Sequence, residues 1–124
     1  MEDLHIEPTK NTPLIEFFSS GKLVMAGSAH AENSKEFFDP IIDWIMELRA
    51  EEVDLDLIIE YINTSSAKKL LELLHKLGSS EYIKSLRVKW FYEEWDEDGL
   101  ETGQALGYSL PRIKFEFVKY ERKK

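Results

Sequence analysis

The apolar positions of this chain change period several times, and each change marks an element. Leu14-Ile15-Glu16-Phe17-Phe18 and Lys22-Leu23-Val24-Met25-Ala26 are two apolar runs separated by Ser19-Ser20-Gly21, the spacing of a β-hairpin. The first thirteen residues, with Pro8, Lys10, Asn11 and Pro13, carry little apolar content and read as an irregular arm. Residues 14–124 then form a single domain. Two helix-start signals follow the hairpin. Asn33 with Glu36 three positions on resembles a capping box opening a short turn through Phe37-Phe38, and Asp39-Pro40 reads as an N-cap with proline at the first helical position. Ile41, Trp44, Ile45 and Leu48 then recur at helical spacing, to an end near residues 49–52.

From Asp54 to Ile62 the pattern alternates and then becomes apolar on both faces, as in a strand deep in a sheet. Asn63-Thr64-Ser65-Ser66 follows at once. Ala67, Leu70, Leu71, Leu74 and Leu77 make a second amphipathic helix, closed by Gly78. Leu86 to Tyr92 alternates again, with Trp90 and Tyr92 toward the core and Phe91 away from it. An acidic run, Glu93 to Asp98, leads into a weak helical stretch around Leu100 to Leu106, and Ile113 to Val118 is a last strand. The order β-β-α-β-α-β-(α)-β predicts an α/β fold. Its sheet is small, mixed and largely parallel, of about five strands, with an N-terminal hairpin and two main helices.

Composition narrows the function classes. With 43% hydrophobic residues among 124, the chain has enough apolar material for one core. It has no cysteine, which excludes disulfides, thiol nucleophiles and thiolate metal sites. Sixteen Lys and Arg against twenty-four Asp and Glu leave a net charge of −8, which works against nucleic acid and anionic membranes as partners. The basic patches Lys68-Lys69 and Arg122-Lys123-Lys124 lack interleaved aromatics. No apolar stretch is long enough to span a membrane, and the N-terminus lacks the basic start and apolar run of a secretory signal. A cytoplasmic, protein-binding domain is expected.

The most distinctive segment is Asn63-Thr64-Ser65-Ser66, at the junction of a central strand and a helix N-terminus. One reading is simple N-capping, with Asn63, Thr64 or Ser65 accepting a bond from an amide one turn on. The other is a phosphorylation site, where the helix dipole and free N–H groups would stabilise a phosphate within reach of Lys68. A catalytic reading finds less support. His5, His30 and His75 are scattered, and no His-Glu-x-x-His pairing, nucleophile elbow or glycine-rich phosphate loop is present. The acidic run lacks the ligand spacing of an EF-hand and reads as a solvated loop. Its neighbours Phe91 and Trp95 suit a protein-binding surface. A small metal- or nucleotide-dependent enzyme remains as the alternative class.

Several blocks together resemble one family. Thr12-Pro13, Ala31-Glu32-Asn33-Ser34 before Phe37-Phe38-Asp39-Pro40, and Tyr61-Ile62-Asn63-Thr64-Ser65-Ser66-Ala67-Lys68 are similar to the SiaC family of bacterial regulatory phosphoproteins. Trp90-Phe91-Tyr92-Glu93-Glu94, Asp96-Glu97-Asp98 and Leu100-Glu101-Thr102-Gly103 extend the resemblance. One departure is His30-Ala31, where the family commonly has an aromatic residue and a proline. The resemblance implies a STAS-like domain without catalytic residues or cofactor. Its implied phosphoacceptor is Thr64, with Ser65 and Ser66 as alternatives and Asn63 and Lys68 in support. It further implies a GHKL-type kinase, a PP2C-type phosphatase and a diguanylate cyclase as partners. Glu32, Asn33 and Ser34, together with Phe91 and Trp95, are the expected partner surface.

Overall fold

The computed structural model describes residues 1–121, and in it the two apolar runs become β2 (Leu14–Phe17) and β3 (Lys22–Ala29), an antiparallel pair. Their turn depends on Gly21, whose φ of +106° lies in the left-handed region. A Cβ there would fall 2.1 Å from the Glu52 carbonyl oxygen, so only glycine lets the turn approach the next strand. The Gly21 carbonyl in turn accepts a 2.9 Å bond from the Asp54 amide.

Three strand–helix–strand units follow. They comprise α1 (Ser34–Glu47), β4 (Glu52–Ile62), α2 (Thr64–Gly78), β5 (Ser85–Glu93), α3 (Glu97–Tyr108) and β6 (Lys114–Tyr120). The strands from β3 to β6 are mutually parallel, and the sheet order follows the chain order throughout. Each crossover therefore steps one strand in the same direction, and crossovers of one hand set all three helices on one face. Burial agrees. Val53, Leu55, Leu57 and Ile59 of β4 and Val88 and Trp90 of β5 are buried beneath Phe38, Ile41, Leu70, Leu74 and Leu106. The alternate positions form a helix-free face, where Asp54 pairs with Arg87 at 2.9 Å and Ile58 lies in register with Phe91.

The structure corrects the sequence expectations at four places. The sheet has six strands rather than about five, because β1 (Leu4–Ile6) in the supposed irregular arm pairs antiparallel with β2. Three residues are too few to show a period. The arm is held from outside the strand, by Trp44 Nε1 donating to the Glu2 carbonyl (2.9 Å) and the Ser19 amide donating to Asp3 Oδ1 (2.8 Å).

The two helix-start signals belong to one helix. Asn33 caps α1, and Pro40 lies inside it. Asp39 does not cap, because its carboxylate is engaged by Lys35 and Lys69. An interior proline costs about 3 kcal/mol. Burial of Phe38, Ile41, Ile42 and Ile45, worth roughly 1.5–3 kcal/mol each, outweighs that.

The weak stretch before the last strand is a full third helix, capped by Asp96 through the Gly99 amide (3.0 Å). Finally, α2 starts at Thr64 and includes Gly78, with Ser79 as its C-cap. The basic tail Arg122-Lys123-Lys124 lies outside the described residues.

Candidate functional site

Because β3, β4 and β5 are parallel, their C-terminal ends lie along one edge of the sheet, and the loops entering α1, α2 and α3 gather there. The sequence-predicted residues sort themselves around this edge. Asn63 ends β4 and is held by its amide, which donates to the Ala29 carbonyl at 3.0 Å. Its Oδ1 accepts the Ser66 amide at 2.9 Å and so caps α2. Asn33 does the same for α1, accepting the Glu36 amide at 3.1 Å. The capping expectation is met at both helices, by the asparagines rather than by the hydroxyl residues.

The three hydroxyl residues have different surroundings. Ser66 is fully buried, with its Oγ 3.1 Å from Ser34 Oγ. Ser65 is exposed at the surface, yet its Oγ lies 2.7 Å from Ser34 Oγ and donates to Asn63 Oδ1 at 3.4 Å. Thr64 is exposed, and its hydroxyl has no hydrogen-bond partner among the described residues. Lys68, one helical turn further on the same side of α2, is also exposed.

Of the expected partner surface, Glu32 and Asn33 are exposed on the β3–α1 loop, and Trp95 on the β5–α3 loop is 74% exposed. Ser34 is a correction. It turns inward, being 6% exposed, and joins the first turns of α1 and α2. Phe91 stands apart from the loops, on the helix-free face, with its ring 6.4 Å from that of Tyr120.

Two features escape the sequence reading. The register between β3 and β4 slips after Gly27, which pairs with Ile59, whereas Ser28 pairs with Tyr61. This bulge turns Ile62 toward the core and Tyr61 away from it. Tyr61 is 58% exposed and meets His30 edge-on, with ring centroids 5.4 Å apart, three residues before Thr64. A bulge has no periodic signature, and its apolar-on-both-faces trace was readable only as burial.

The second feature is a cross-helix ion pair. Lys69 Nζ lies 2.6 Å from Asp39 Oδ1, and Lys35 binds the other carboxylate oxygen. The hydrogen bonds from Lys35 and then Lys69 hold the Asp39 carboxyl below its usual range, and Asp39 in turn raises Lys69. The i,i+4 spacing of Lys35 and Asp39 was a signal for half of this network.

Among the described residues no group of three or more His, Cys, Asp or Glu side chains is placed to hold a metal ion, and no helix is long and apolar enough to cross a membrane. The family model described as SiaC family regulatory phosphoprotein matches residues 6–120. The chain belongs to this family. An uncharacterized protein of Pseudomonas aeruginosa is 35% identical over 109 residues, which cover 84% of this chain and 86% of that protein. Among solved structures, the complex of the diguanylate cyclase SiaD with its activator SiaC from Pseudomonas aeruginosa matches with a TM-score of 0.86 at 30% identity. That match covers 95% of this chain and 100% of the other. SiaC of Pseudomonas aeruginosa alone matches at 0.79 and 29% identity, over 97% of this chain and 100% of the other. The mixed α/β sheet is thus the SiaC fold, which resembles STAS domains.

Proposed function

We propose that this chain is a non-catalytic, cytoplasmic phosphoswitch that binds and activates a diguanylate cyclase. A GHKL-type kinase phosphorylates Thr64 and a PP2C-type phosphatase reverses the modification. The observation that carries the reading is the contrast among the three hydroxyls: Thr64 is exposed and unengaged, whereas Ser66 is buried and Ser65 is tied to Ser34 and Asn63. A kinase needs an accessible hydroxyl, and reaching Ser66 would require unwinding the start of α2. Membership of a family of regulatory phosphoproteins supports modification, and the relative in complex with a cyclase supports the partner class.

The proposed mechanism is electrostatic and steric. Unmodified, the first turn of α2 is flanked by exposed Tyr61 and lies at the same sheet edge as Asn33 and Trp95, a surface of mixed polar and aromatic character. A phosphate on Thr64 adds roughly −1.5 to −2 charges, is stabilised there by the α2 dipole and Lys68, and makes docking of the unmodified form's partner unfavourable. Asn63 contributes by fixing the helix start, so that Thr64 keeps its position in both states.

The test is incubation with ATP and the kinase, followed by mass spectrometry and a cyclase assay. Thr64→Ala should keep its fold and cyclase activation while losing phosphate incorporation, and Thr64→Glu should weaken activation. Phosphate found on Ser65 with Thr64 untouched, or cyclase output indifferent to phosphorylation, would overturn the proposal. Metal- or nucleotide-dependent turnover by the chain alone in the same incubation would favour the enzyme reading instead.

A further inference from the structure

A second surface of α2 carries its own signal. Between α2 and the segment joining α3 to β6 run two adjoining hollows of about 430 and 370 Å³, which share His75, Ser109 and Leu110 and so form one groove. Its apolar lining comes from Leu71 of α2 and from Leu110, Pro111 and Ile113 beyond α3. The groove follows α2 from Lys68 to Ser79, roughly 17 Å at the helical rise, the length of about three turns of a docked helix.

The charges along this groove oppose those of the chain as a whole. Lys68 and Arg112 line it, and neither side chain has an ion-pair partner among the described residues; the His75 ring lies between them. The one acidic side chain on the rim, Glu72, is already met by Lys69 at 3.3 Å. The C-terminal ends of α2 and α3 border the groove at Ser79 and Ser109, and one amide caps each. The last carbonyls of α2 accept the Ser79 amide and those of α3 the Ser109 amide. A protein of net charge −8 thus presents an apolar channel whose unpaired charges among the described residues, Lys68 and Arg112, are cationic.

We propose that this groove is a docking site for an acidic amphipathic segment of a partner protein, with leucine-type side chains on the apolar lining and carboxylates toward Lys68 and Arg112. The occupant follows from charge complementarity. A basic segment would face unpaired cations, and a purely apolar one would leave them uncompensated. The site adjoins the Thr64 surface, with which it shares Lys68, and its occupancy does not require Thr64 to be modified. Failure of the phosphoswitch therefore leaves this proposal standing, and the reverse.

The probe is a capped synthetic peptide of about three helical turns, with leucines at helical spacing and glutamates elsewhere, titrated into the full ¹⁵N-labelled chain. Amide shifts should concentrate at Leu71, His75, Leu110 and Arg112 and saturate, and the same peptide with lysines for glutamates should leave them unmoved. A Lys68→Glu/Arg112→Glu variant should keep its spectrum elsewhere, since both side chains are exposed, and bind the acidic peptide at least about tenfold more weakly. Equal binding of both peptides, shifts located elsewhere, or the same groove shifts with free citrate at equal concentration would each overturn the proposal, the last by making this a small-anion site.

Discussion

Ser34 Oγ and Ser66 Oγ lie 3.1 Å apart and join the first turns of α1 and α2 beneath the surface. Ser66 is wholly shielded from solvent, and its hydroxyl has no other hydrogen bond among the described residues. Ser34→Ala should therefore leave a buried hydroxyl without its partner and destabilise the fold by about 1–3 kcal/mol in urea unfolding. Ser34→Ala/Ser66→Ala should cost less than the sum of the single changes, since both ends of the bond are then apolar. Strict additivity would show that the two hydroxyls are not coupled.

Gly103 has a different kind of constraint. A Cβ on it would lie 2.6 Å from Trp90 Nε1 and 2.7 Å from two ring carbons, and the indole is 1% exposed and has nowhere to retreat. Gly103→Ala should cost about 1–3 kcal/mol through overpacking. It should also disturb the 3.1 Å bond from Trp90 Nε1 to the Gly99 carbonyl, visible as a changed indole N–H resonance. An unshifted resonance and unchanged stability would mean that α3 moves freely over the sheet.

The Asp39–Lys69 pair should make stability depend on pH in a definite direction. The Asp39 carboxyl is held low by Lys35 and Lys69, so the pair stabilises the fold above the ordinary carboxylate range, near about pH 4. That stabilisation is lost as pH falls through the lowered folded value. Raised Lys69 gives the mirror case: its contribution holds below the unfolded lysine value and fades only above it. Asp39→Asn should thus lower the urea midpoint by a constant amount between about pH 6 and 9. The gap to the native chain should close below about pH 4. A gap that persists in acid would assign the effect to packing rather than charge.

The sequence made the α/β order, the hairpin and the α2 junction legible because those elements carry long apolar periods and strong punctuation. It misread Asp39-Pro40 because local capping chemistry and an interior proline look alike until Lys69, thirty positions away, is seen to claim the carboxylate. It missed Leu4–Ile6 because a three-residue edge strand is held by contacts to Glu2 and Asp3 outside it. Ser34 reads as a surface residue for a similar reason. Its distant partners Ser65 and Ser66 decide its burial, and no local pattern encodes them. Tyr61 depended on a bulge, a feature of pairing rather than of one strand.

The exposed aromatics give the sharpest test of the proposed docking edge. Trp95 is 74% exposed and sits on the loop leading to the Asp96 cap, so replacing it with alanine removes little buried area. Trp95→Ala should leave stability within about 0.5 kcal/mol of the native chain. Tyr61 is 58% exposed, and apart from its edge contact with His30 it too is largely free. If these rings anchor the cyclase partner, each alanine variant should weaken binding by at least about tenfold, as central aromatic anchors do. Phe91→Ala supplies the contrast, because Phe91 lies on the helix-free sheet face, away from the loops around Thr64. Isothermal titration against the cyclase separates the cases. Losses confined to Tyr61 and Trp95 place the partner over the C-terminal edge, whereas a loss confined to Phe91 moves it to the open sheet face and removes Thr64 from direct contact.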